Sequence, residues 1–162
     1  MKYNVALLAA DIRDELGKLE KLSLEFIRIE QLLNLPAEDI GFFEKAATGY
    51  FLHSFYNGCE NIFRSIARFF ENDLGPQTWH RDLLKRMQLS IPGYRPHVID
   101  DNLFILLDEL RAFRHIYRHC YSFELNWERE KQIACRYQTA WKMIKIQIEE
   151  FLKSLERIES SE

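Results

Sequence analysis

Stepping alternately three and four residues from Val5 meets Val5, Leu8, Ile12, Glu15, Leu19, Leu22, Phe26, Ile29 and Leu33, and eight of these nine positions are apolar. A 3/4 step held over that length predicts a long amphipathic helix with a narrow packing seam. It ends before Pro36, because the residue ahead of a proline resists the α conformation. The C-terminal segment repeats the pattern through Trp127, Glu130, Ala134, Tyr137, Trp141, Ile144, Ile148, Phe151, Leu155 and Ile158, nine of ten apolar. Two helices of about 30 residues, each about 45 Å long, are predicted to lie side by side.

Between them, apolar pairs at helical spacing (Phe42/Phe43, Ala46/Ala47, Tyr50/Phe51, Ile62/Phe63, Ile66/Ala67) predict a third long helix over 38–72, closed by Gly75-Pro76. Gly49 and Gly58 inside it each cost about 1 kcal/mol relative to alanine, a cost explained if neighbouring helices approach closely there. Trp79, Leu83, Leu84 and Met87 predict a short helix, and Ser90 to His97, with Pro92, Gly93 and Pro96, an exposed loop. Asp100 or Asp101 then caps a helix through Leu103, Leu106, Leu107, Leu110 and Phe113 to about His119. No strand pattern or internal repeat is present. The predicted class is all-α, a bundle of four main helices plus a short one.

Composition narrows the setting. A 162-residue chain that is 47% hydrophobic and 29% charged buries roughly 70% of its unfolded surface, enough for one self-sufficient domain over residues 1–162. The apolar run Val5 to Ala10 stops at Asp11, far short of the roughly 18 residues of a membrane span. Cys59, Cys120 and Cys135 are odd in number and widely spaced, which argues against a disulfide framework or closed zinc site and points to the cytoplasm. The net charge of −3 excludes a uniformly basic nucleic-acid binder. That charge is unevenly spread: residues 76–119 alone carry a basic excess, 7 Lys and Arg against 5 Asp and Glu, and hold His80, His97, His115 and His119.

Within that stretch, residues 111–121 read Arg-Ala-Phe-Arg-His-Ile-Tyr-Arg-His-Cys-Tyr. On a helix, Arg111, Arg114, His115, Arg118 and His119 share an arc of about 140°, with Phe113, Ile116, Tyr117 and Cys120 opposite. The cationic side is therefore expected to face solvent, a partner or a ligand. Basic residues in a last turn also complement the helix macrodipole, which is the bland account of them. Five crowded cationic or ionisable groups nevertheless repel one another unless an anion offsets them, and a phosphodiester is the anion arginine grips best. Histidines beside arginines stay partly neutral at pH 7, so one imidazole can take a proton while another gives one. These are the parts of RNA cleavage by the ribose 2′-hydroxyl, with no cofactor required. His115 and His119 are also an i, i+4 pair, but no acidic residue follows His115 and the flanking arginines repel cations, so no metal is expected.

The run Arg114-His115-Ile116-Tyr117-Arg118-His119 resembles the Arg-polar-x-x-x-His signature of the HEPN superfamily. With Cys120-Tyr121 it becomes Arg-x4-His-x-Tyr, similar to the HepT toxins of HEPN/minimal-nucleotidyltransferase (HepT/MntA) toxin–antitoxin pairs. Phe55 to Ile62, with Tyr56-Asn57 and Glu60, resembles the Tyr-Asn-x-x-Glu stretch of a HepT-like helix. Trp79-His80-x-x-Leu83-Leu84 and Arg95-Pro96 extend the likeness.

The resemblance implies an up-and-down HEPN bundle and a homodimeric, metal-independent endoribonuclease of a type VII-like pair. Arg114 and His119 of each subunit would meet at a cleft on the two-fold axis, Arg114 stabilising the scissile phosphate and His119 acting as acid/base. His115, Arg118 and Arg111 would be further catalytic or phosphate-binding groups. Tyr121 would be the hydroxyl that a cognate nucleotidyltransferase antitoxin AMPylates to silence the toxin. On a continued helix Tyr121 lies about 200° from His119, so either the helix ends there or Tyr121 serves the partner's site.

Other residues carry plainer readings. Asn57 and Glu60 are expected to be a buried polar pair steadying the motif helix, and His53, among Phe51, Leu52 and Phe55, a packed core histidine. Tyr94, Arg95 and His97 combine stacking and charge, which suits RNA and which exposed loops also carry without a role. Beside the nuclease stand two other functions: a non-catalytic subunit binding a nucleotide, RNA or the nucleotidyltransferase, and a purely structural bundle.

Overall fold

The computed structural model describes residues 4–71 and 79–161. Among these, seven α-helices follow one another: α1 (Val5–Ser23), α2 (Phe26–Leu33), α3 (Phe42–Glu71), α4 (Trp79–Gln88), α5 (Asp101–His119), α6 (Trp127–Cys135) and α7 (Tyr137–Ser160). The all-α class holds. The Gly75-Pro76 stop lies outside the described residues. No described helix is long and apolar enough to cross a membrane.

The helix count differs from four plus one because both terminal helices are kinked. At Leu24 and Glu25 the backbone stays right-handed (φ −66°, ψ −26° and φ −79°, ψ −12°). Its N–H groups, however, bond three residues back, Leu24 to Lys21 O at 3.3 Å and Glu25 to Leu22 O at 3.0 Å. Arg136 does the same to Ile133 O at 3.0 Å. Each is a single 3₁₀-like turn that bends the helix without ending it. The seams therefore run through: Leu8, Ile12, Leu19, Phe26, Ile29 and Leu33 are buried on one side, and Trp127 to Leu155 on the other.

The two bends face one cluster. Phe26, one residue beyond the first kink, packs at 4.6 Å from Tyr137, one residue beyond the second. Tyr137 in turn meets Phe51 at 4.7 Å and Phe55 at 4.9 Å.

Helix α3 is the axis on which α1, α2, α4, α5 and α6 pack, while α7 closes against α1, α5 and α6. Both interior glycines are points of close approach. A Cβ on Gly58 would lie 2.4 Å from Leu19 Cδ2, and one on Gly49 2.7 Å from Tyr117 Cε2, so α1 and α5 come nearer than an alanine allows.

The Ser90–His97 loop is a tight turn, with Gly93 at φ 73° and Ile91 paired to Arg95. One expectation about it is corrected: Arg95 does not face RNA. Its buried guanidinium donates to Glu71 at 2.7 Å and to the carbonyls of Arg86 (2.8 Å) and Leu89 (3.0 Å). Burial alone would raise the Glu71 carboxyl, but Arg95 and Arg86 outweigh it and hold it below the usual carboxylate range. Arg95 thus ties the loop to the end of α3.

Candidate functional site

Asp100 starts α5, its Oδ1 accepting from Leu103 N–H at 2.8 Å. The helix runs to His119 and stops because Cys120 is extended (φ −129°, ψ 159°). Of the two geometries open to Tyr121, the structure has the helix end. Tyr121 leaves the helix 70% exposed and lies parallel to Phe123 with ring centroids 5.4 Å apart.

The five basic residues do not form one solvent-facing arc. Arg114 is 4% exposed and turned onto α3, because Glu60, 2% exposed, waits there as an acid of matching geometry. Nη1 of Arg114 donates to Glu60 Oε1 at 2.9 Å and Nη2 to Oε2 at 3.0 Å, a bidentate pair. Nη1 also reaches Asn57 Oδ1 at 2.8 Å, and the guanidinium carbon stands 4.9 Å over the Tyr56 ring. The anion that offsets the crowded cations is in part protein, an intramolecular partner that spacing along one helix does not reveal. Asn57, half-buried, and Glu60, buried, both accept from Arg114 across the α3–α5 contact.

Two histidines outside the motif complete the constellation. Asn57, its oxygen committed to Arg114, donates through Nδ2 to His53 Nε2 at 3.0 Å. Burial first, then Arg114 and Arg118, lowers the His53 imidazole pKa, in keeping with a neutral ring accepting that bond. His53 is half-buried and packs on Tyr117 at 5.3 Å, so it belongs to the site's flank rather than the core. His80 of α4 sets Nδ1 2.9 Å from Glu60 Oε2 and 2.8 Å from Arg114 Nη2. Trp79-His80 was visible as a fragment of resemblance, but nothing in the sequence pairs His80 with Glu60, 20 residues away.

A cavity of about 90 Å³ opens over this floor, lined by His80, Arg111, Arg114, His115, Arg118 and His119. It has room for several water molecules, and so for a phosphate group. His115, Arg118 and His119 are exposed on its rim, with the two imidazoles 4.7 Å apart in an edge contact. Arg111 is held sideways by Asp108 at 2.8 Å. The arrangement offers a fixed guanidinium beneath, an exposed cation at the mouth, and two imidazoles on the rim.

A family model described as HepT-like protein matches residues 47–155. No curated protein and no solved structure matches the chain.

Proposed function

The chain belongs to the HepT-like family of the HEPN superfamily, and from that premise we propose that it is a metal-independent endoribonuclease toxin of a type VII-like toxin–antitoxin pair. One observation carries the reading. Arg114, pinned by Glu60 and Asn57, forms the floor of a pocket whose rim is His115, Arg118 and His119. In this mechanism Arg118, with Arg111 beside it, meets the incoming phosphate. Arg114 stabilises charge building on phosphorus from a position fixed before the substrate arrives. His119 transfers the proton, with His115 as a further phosphate-binding or proton-transferring group.

We place two copies of this single domain, residues 1–162, in a cytoplasmic homodimer with the pockets facing across its axis. Exposed Phe43, Tyr50, Ile116 and Phe123 on neighbouring elements support such a contact. A minimal nucleotidyltransferase antitoxin is the partner, and Tyr121 its target. The ring stands clear of α5, and added AMP groups would bring phosphates to the cationic mouth in place of RNA. A binding-only subunit is the second reading, favoured by one fact: most donors of Arg114 are already engaged within the protein.

Incubating the purified chain with RNA in excess EDTA tests the proposal. Cleavage is expected to fall at least 100-fold in His119→Ala and Arg118→Ala/Arg114→Lys variants. Salt-sensitive binding with no product would establish the second reading instead. Coexpression with the nucleotidyltransferase should add adenylate masses to the wild type and none to Tyr121→Phe.

A further inference from the structure

Arg114 takes two acceptors from α3, the Glu60 carboxylate and the Asn57 amide. The carboxylate accepts whichever way it turns. The amide does not, since it carries an oxygen that accepts and a nitrogen that donates. Which of the two meets Arg114 decides whether the contact attracts or repels, and that choice is tied to His53, one turn earlier on α3.

A guanidinium can only donate, so Asn57 must present Oδ1 to Arg114 Nη1 at 2.8 Å. Its Nδ2 is then aimed at His53 Nε2, 3.0 Å away. Nδ2 has hydrogens to give and no lone pair, so Nε2 must be the bare, accepting nitrogen, and the ring's hydrogen sits on Nδ1. Nδ1 is buried with no hydrogen-bond partner among the described residues, so no bond on that side draws the ring to its other tautomer. The three side chains form a chain with one direction, Arg114 donating to Asn57 and Asn57 to His53.

A proton on Nε2 breaks that direction, because two donors then meet at 3.0 Å. Turning the amide over gives the imidazolium an acceptor, but Nδ2 then faces Arg114 Nη1 across 2.8 Å and repels it, leaving Glu60 to hold the guanidinium alone. The ring is shielded from such a proton. It lies half-buried against Tyr117 of α5 at 5.3 Å, with Tyr50 of its own helix at 6.5 Å. Burial first, then Arg114 and Arg118 of α5, hold the imidazole below its usual range.

Resting on the ribonuclease reading above, we propose that His53 is a positioning residue for Arg114: its neutral ring accepts from Asn57, turns the amide oxygen onto the guanidinium, and so sets the pose in which Arg114 meets the phosphate. His53 acts through Asn57 and needs no contact with substrate. The consequence is a site assembled near neutral pH and loosened in acid. As pH falls through the His53 pKa, the imidazolium reverses Asn57, whatever the state of His115 and His119.

Two measurements test this. Nitrogen NMR of the histidine side chains near neutral pH, with His53 assigned by its loss in His53→Gln, needs no RNA. His53 should show a protonated Nδ1 and a bare Nε2; an Nε2–H ring or an imidazolium overturns the proposal whatever the chain's activity. RNA cleavage in EDTA is then compared in wild type, His53→Gln, His53→Lys and His53→Lys/Asn57→Asp, each checked for an unchanged helical spectrum. Glutamine can still accept, so His53→Gln should keep kcat within about fivefold of wild type, whereas the permanent donor in His53→Lys should lower it by about tenfold or more. A carboxylate at 57 accepts from both cations, so adding Asn57→Asp should recover most of that loss. His53→Lys as active as wild type overturns the proposal, as does a loss that Asn57→Asp leaves unrelieved, because His53 would then only pack on Tyr117. Absence of cleavage by the wild type overturns the ribonuclease reading, while the spectra still decide the state of His53.

Discussion

Arg114 is the residue on which the sequence is most informative about position and least informative about surroundings. The motif marks it, yet its acid lies 54 residues away on another helix, beyond the reach of any local spacing rule. A charge pair this buried is costly to break from one side, because the survivor is left without compensation. Glu60→Gln and Arg114→Met are each expected to destabilise the fold by about 3–5 kcal/mol. The double variant should cost less than their sum by about 1–3 kcal/mol. Urea unfolding of the four chains measures this, and strict additivity would contradict the pairing. His80 and His53 follow the same logic: both sit in view in the sequence, and only the fold shows that one leans on Glu60 and the other on Asn57.

At the scale of elements, periodicity located the seams of the terminal helices almost residue by residue, because burial follows the 3.6-residue repeat. The kinks escaped it. Neither Leu24-Glu25 nor Arg136 involves proline or glycine, and both bends flank a tertiary contact, Phe26 on Tyr137, that no local pattern reveals. The glycines worked the other way, since two misfits in a helix pattern pointed to close contacts that are there. Gly58→Ala gains about 1 kcal/mol of helix propensity but drives a methyl into Leu19. A net loss of about 1–2 kcal/mol is therefore expected. Adding Leu19→Ala should leave Gly58→Ala neutral or favourable in that background, as thermal melts would show.

For the molecule as a whole, the acidic balance of −3 conceals more than a basic patch. Glu130, the polar exception in the C-terminal seam, is fully buried, and among the described residues neither of its oxygens has a partner at full hydrogen-bond geometry, although the Gly49 backbone lies close enough to pull its carboxyl down a little. Burial pushes its carboxyl up to about 8, against a smaller opposing pull from Lys45. The folded state thus holds a proton that the unfolded chain releases near pH 4.5. Stability from this group is complete below that pH, declines as pH rises, and is lost once the folded group ionises near 8. Relative to Glu130→Gln, the wild type should lose stability between pH 5 and 8 with a slope approaching about 1.4 kcal/mol per unit. Parallel slopes for the two chains in denaturant titrations would refute this.

The shared carboxylate of Glu60 has a consequence for how such chains can diverge. One acid answers to an arginine on α5 and a histidine on α4, and of these the buried Glu60 and Arg114 cannot drift singly without stranding a charge in the interior. Across relatives, positions 60 and 114 should therefore change together or not at all. A lineage that has lost the acid at 60 should have abandoned the arginine as well, keeping the bundle while surrendering the chemistry.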